Sequence, residues 1–135
     1  MKVNYLAVLV AALAYFFLGF LWYGLLFTKP WMALEGVTAQ TPQPPNMALH
    51  YLVTFLVQIL MCFGLAVVCR WRNAGLSGGA GLAIAIWILF IAPVTLTTYL
   101  FENRPLALFA INYGYDLAGM ALAGAIVGGW KRKAV

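Results

Sequence analysis

The chain has 135 residues, of which 65% are hydrophobic and only 8% charged, with a formal net charge of +5. Soluble domains carry roughly 25% charged residues, so this composition excludes a water-soluble globular fold and places the chain in a lipid bilayer. It also excludes a nucleic-acid-binding module, which needs a basic face on a soluble scaffold.

Four stretches, residues 4–27, 49–69, 79–101 and 106–130, reach the ~20 apolar residues that cross a hydrocarbon core of about 30 Å. Backbone polar groups in lipid are satisfied only within helices or closed barrels, and these unbroken runs lack the alternation of barrel strands. The expected fold is therefore all-α: a polytopic membrane protein, one domain over residues 1–135, forming a four-transmembrane-helix bundle. Lys2 and the small-residue pattern Ala12-Leu13-Ala14 imitate a signal peptide, but the apolar run to Phe27 is too long for a signal core.

Residues 28–48 make the long connection between the first two helices. Pro30-Trp31-Met32-Ala33-Leu34-Glu35-Gly36 places proline near a helix start and glycine at a stop, which predicts a short interfacial helix. Thr41-Pro42-Gln43-Pro44-Pro45 cannot extend it and favours an extended tether. In the second helix Cys62 and Cys69 are seven residues apart, about 10 Å along the axis, too far to bond to each other. The Gly-rich segment 75–81 reads as a flexible start to the third helix, because it lacks the lysine of a phosphate loop. Glu102-Asn103-Arg104-Pro105 is a tight turn, so the third and fourth helices are antiparallel. The helix ends Leu26-Phe27 with Lys29-Pro30 and Leu100-Phe101 with Arg104-Pro105 echo each other, as parallel duplication of a hairpin would produce.

Basic residues orient the bundle. Lys2, Arg70, Arg72, Lys131, Arg132 and Lys133 fall on one side, Lys29 and Arg104 on the other. By the positive-inside rule both termini and the central loop are cytoplasmic. Trp22, Tyr23 and Trp31 are expected at the outer interface and Trp71 and Trp130 at the inner one.

Asp116 is the one carboxylate within these apolar stretches. A charge there costs several kcal/mol on insertion scales, so it is a functional-site candidate. It is ten residues from Leu106, about 15 Å deep at helical rise. Asn112 lies one turn away on the same face. Gln58, Thr95, Thr98 and Tyr115 fall at similar or shallower depth, which predicts an outward-facing polar pocket of Asp116, Asn112, Gln58, Thr95, Thr98 and Tyr115 above a sealed apolar half. Pro93 beside this layer removes a backbone donor and predicts a kink. Asp116 could equally serve as a hydrogen-bonded strut between helices. A second pattern, Gly114, Ala118, Ala121, Ala125 and Gly128, forms a small-residue seam for close helix approach, within one chain or between copies, and Gly124 to Gly128 is a G-x-x-x-G.

No metal-spaced Cys/His cluster, H-E-x-x-H or G-x-S-x-G is present, and His50 is the single histidine. The chain is therefore read as a non-enzyme, with no metal and no cofactor. Asn4, Gly19, Leu21-Trp22-Tyr23-Gly24 with Leu26-Phe27, Trp31-Met32, and Ile111-Asn112-Tyr113-Gly114-Tyr115 with Gly124 and Trp130 resemble the small membrane proteins of the domain of unknown function 1761 family. That resemblance implies a multi-pass protein of the bacterial cytoplasmic (inner) membrane and supplies no catalytic residues. The leading expectation is a homo-oligomeric small-solute or ion transporter in contact with membrane lipids. The alternatives are an accessory or assembly subunit bound to a membrane-protein partner, and a lipid-binding protein.

Overall fold

The computed structural model describes residues 3–130, and these form helices joined by turns and one long loop. Lys2, Lys131, Arg132 and Lys133, which entered the orientation argument, lie outside the described residues. Four helices are long and apolar enough to cross a membrane: α1 (Tyr5–Leu26), α3 (Met47–Trp71), α4 (Leu76–Phe101) and α5 (Leu106–Gly129). A short helix, α2 (Thr28–Glu35), follows α1. The protein is an all-α membrane protein.

Local chemistry sets the boundaries. Asn4 caps α1 by accepting from the Ala7 N–H at 3.2 Å, and its Nδ2 donates to the Trp130 carbonyl at 3.2 Å, tying the first helix to the end of the last. Gly36 ends α2 with φ 73°, a left-handed conformation that glycine adopts without Cβ strain. Helices α3 and α4 extend beyond the apolar counts. Arg70 and Trp71 remain helical because a helix need not stop where lipid does. The Gly-rich segment expected as a loose start is helical from Leu76, and its Gly79 is buried as a packing surface.

Helix α5 is the axis of the bundle and packs against α1, α3 and α4. Its tightest partner is α4. A Cβ on Gly79 would collide with the Gly124 carbonyl, and one on Gly128 with the Gly75 carbonyl. Such approach maximises van der Waals contact where lipid supplies no hydrophobic drive between helices. Against α1, the Tyr15 ring lies on Gly119, where a Cβ would come within 2.5 Å of the ring.

The two halves of the bundle differ. Around the termini end, small side chains close the core: Ala7, Ala11, Ala12, Cys62, Ala66, Cys69, Ala83 and Ala123 are all buried. Toward the loop end α3 meets its neighbours only along one side, where Tyr51 and Phe55 contact Phe16 and Phe20 of α1, and every residue from His50 to Val57 except Phe55 is exposed. Gln58, next in sequence, is the first buried position.

Both α1 and α4 carry one widened, π-helical turn in this loop-end half, at Trp22–Leu26 and Trp87–Ile91. The second ends two residues before Pro93. Proline cannot donate to the preceding turn and its ring crowds that turn's carbonyls; the expected kink takes the form of this extra residue per turn.

Candidate functional site

The site is built from the loop-end halves of α1, α3, α4 and α5. Asp116 faces α1, where the Tyr15 hydroxyl donates to its Oδ1. Tyr115, the next residue back, reaches the same region from another face of α5. Its hydroxyl donates to the Tyr15 carbonyl at 2.6 Å and accepts from Gln58 Nε2 at 2.9 Å. The rings of Tyr15 and Tyr115 meet edge to face at 5.2 Å. These contacts lock three helices around one carboxyl group.

One turn closer to the loop end, Asn112 bridges α1 and α4. Its Oδ1 accepts from the Tyr23 hydroxyl at 3.0 Å, and its Nδ2 donates to the Tyr99 hydroxyl at 3.0 Å. Arg104 covers the buried Tyr99 ring, its guanidinium carbon 4.6 Å from the centroid, and pairs with Glu35 of α2 at 3.0 Å. A column of polar side chains thus descends from the loop-end surface to Asp116.

The column borders a cavity of about 490 Å³ lined by Asp116, Asn112, Gln58, Tyr115, Tyr15 and Tyr23, with Val53, Val57 and Met61 of α3 on its far wall. This size suits a small-molecule site. A second cavity of about 670 Å³ lies between α1, α3 and the long loop, walled by Phe16, Phe20, Trp31, Tyr51 and Pro42, and shares Tyr23 and Tyr115 with the first.

The structure brings Asp116, Asn112, Gln58 and Tyr115 together at one cavity. Thr95 and Thr98 are not among its lining residues; their hydroxyls return to the carbonyls of Ile91, at 2.6 Å, and Val94, at 3.2 Å, on their own helix. A lone threonine in an apolar helix satisfies itself this way, so depth alone does not make it a pocket residue. In the seam, Gly128 is buried against α4, while Gly114, Ala118, Ala121 and Ala125 are half-buried. The closest packing falls on Gly119, Ala123, Gly124 and Gly128 instead.

Tyr15 escaped the sequence reading, which treated the first helix as uniformly apolar at this depth. Its signal was available: Tyr15 lies eleven residues from the loop end of α1 and Asp116 ten residues from that of α5, so the two share a level. Trp22 and Tyr23 also differ from expectation. Tyr23 turns inward to Asn112, and the Trp22 indole donates to the Ile111 carbonyl at 2.9 Å. Trp87 does the same on α4, donating to the Tyr113 carbonyl at 2.9 Å. The resemblance between α1 and α4 is thus carried by a tryptophan that opens a π-turn and grips α5, in a different register from the echo of helix ends.

Residues 6–128 match the family described as Protein of unknown function (DUF1761). The chain belongs to this family. No match was found among the curated proteins or the solved structures. For a DUF1761 protein, the cavity chemistry is therefore the direct route to function. Among the described residues no group of three or more His, Cys, Asp or Glu could hold a metal ion.

Proposed function

We propose that this protein is a homo-oligomeric small-solute or ion transporter of the bacterial inner membrane whose outward-facing pocket is the cavity at Asp116. The carrying observation is the position of that carboxyl group. It borders a cavity of about 490 Å³ in the loop-end half, and below it the bundle closes on buried Gly119, Met120 and Ala123. A carboxylate at such depth is retained where it meets a cavity or a transported ion. The distribution of Arg70, Arg72 and the terminal basic residues supports cytoplasmic termini, which turns the cavity outward. The half-buried small residues Gly114, Ala118, Ala121 and Ala125 support contact with another copy.

A non-enzymatic role fits the lining, which contains one carboxyl group and neither histidine nor cysteine. Transport then requires the closed half to part, and the two π-turns beside the site supply places where α1 and α4 can bend.

The test is flux. Protein reconstituted in liposomes is expected to show proton or cation flux that Asp116→Asn abolishes; wild-type flux in that variant would sink the proposal. A second reading, binding of a lipid or other amphiphile, is favoured by the aromatic walls of the adjoining cavity of about 670 Å³. Lipid retained through delipidating purification, and lost on Phe20→Ala, would favour it.

A further inference from the structure

The geometry points to a primary alkylammonium as the ligand class of the Asp116 cavity, with Asp116 and Gln58 Oε1 receiving its N–H groups. This inference rests on the reading that the cavity is the solute site, and it comes from the two acceptors that the cluster leaves unfilled.

Five donors of the lining are engaged within the cluster. The hydroxyls of Tyr15, Tyr23 and Tyr115 donate to Asp116, Asn112 and the Tyr15 carbonyl, and the amides of Gln58 and Asn112 donate to Tyr115 and Tyr99. Arg104, the one cation in the lining, is paired with Glu35 and stacked on Tyr99.

The acceptors are left over. Gln58 is 4% exposed, and its Oε1 is buried with no hydrogen-bond partner. The orientation of that amide follows from its neighbours. Tyr115 has a single hydroxyl proton, directed to the Tyr15 carbonyl, so its lone pair must meet a donor; Gln58 presents Nε2 to it and keeps Oε1 unpaired. A buried acceptor without a partner is costly and calls for a donor. Asp116 receives one hydrogen bond, from Tyr15, and carries capacity for several more.

Two unfilled acceptors, one of them acidic, select a ligand that is cationic and carries several N–H groups. A primary ammonium has three such groups; a quaternary ammonium has none. The tyrosine rings of the lining add cation–π attraction. The far wall specifies the remainder of the ligand. Val53 and Val57 of α3 are about half exposed, so an alkyl tail beside them lies against apolar side chains.

The experiment is calorimetric titration of the protein in zwitterionic nanodiscs with hexylammonium, hexanol, hexanoate and tetraethylammonium, on wild type, Asp116→Asn and Gln58→Leu. Hexylammonium is expected to bind at least tenfold more tightly than the other three, with at least tenfold loss in Asp116→Asn. Gln58→Leu is expected to lose several-fold affinity; because it also removes the Nε2 hydrogen bond to Tyr115, its unliganded thermal unfolding is measured alongside to show that the fold is kept. Equal affinity for hexylammonium and hexanol, or unchanged binding in both variants, overturns the proposal. If selectivity fails while Asp116-dependent flux persists, the ligand class falls and the transporter reading stands. If flux is missing but Asp116-dependent, amine-selective binding is present, the ligand class stands and transport falls.

Discussion

The glycine contact between α4 and α5 gives a sharp test of what holds the bundle together. Replacing Gly124 by alanine places a methyl group against the Gly79 carbonyl and 2.9 Å from the Ala83 Cβ. Backbone cannot swing aside as a side chain does, so the helices must separate. Overpacking of this kind costs about 1–3 kcal/mol, and a backbone clash belongs at the upper end. Against it stands the helix-propensity gain of alanine over glycine, about 1 kcal/mol. Gly64→Ala isolates that gain, since Gly64 is an exposed α3 residue whose added Cβ meets nothing within 4 Å. The propensity contributions cancel between the two variants, leaving a difference of about 3 kcal/mol. Reversible unfolding in mixed micelles on titration with SDS, followed by far-UV circular dichroism, measures it. If Gly124→Ala is as stable as Gly64→Ala, the close α4–α5 approach is wrong.

Three further outcomes follow from the same contacts. Tyr15→Phe keeps the ring on Gly119 but removes the hydrogen bond to Asp116, and should lower stability by about 1–3 kcal/mol in the same unfolding assay. Glu35→Gln breaks a partly exposed ion pair with Arg104, so the global effect should stay under about 1 kcal/mol. Hydrogen–deuterium exchange in α2 should nevertheless rise, because that pair fastens the short helix to the α4–α5 turn. Cys62 and Cys69 are both buried, so maleimide labelling should be slow in mild detergent and fast in SDS.

Much of the architecture could be read from composition, because lipid leaves the backbone few options: an apolar run of sufficient length is a spanning helix. The polar level at Asp116 was likewise legible for Asn112, Gln58 and Tyr115, through depth and helical phase. Helix depth could not separate these from Thr95 and Thr98, since a threonine hydroxyl can bond its own backbone and leave no trace in the sequence. Tyr15 was overlooked because aromatic residues count as apolar in a hydropathy profile, although the hydroxyl is what reaches the carboxyl group. The packing face of α5 was displaced for a related reason. Alternating small residues mark where helices are able to approach, but which of two small-residue faces is used depends on partners such as the Tyr15 ring and Gly79, which are distant in sequence.

The paired tryptophans bear on motion. Trp22 and Trp87 hold carbonyls two residues apart, and two helical residues point about 200° away from each other. Helix α5 is therefore pinched from nearly opposite sides, one turn before Asp116. Rolling α5 about its axis would break both indole bonds at once. A slide along the axis would break them too, since the next carbonyl on the same face lies about 5.4 Å away. The grip thus holds α5 in one rotational setting between α1 and α4, the setting in which its carboxyl group meets Tyr15.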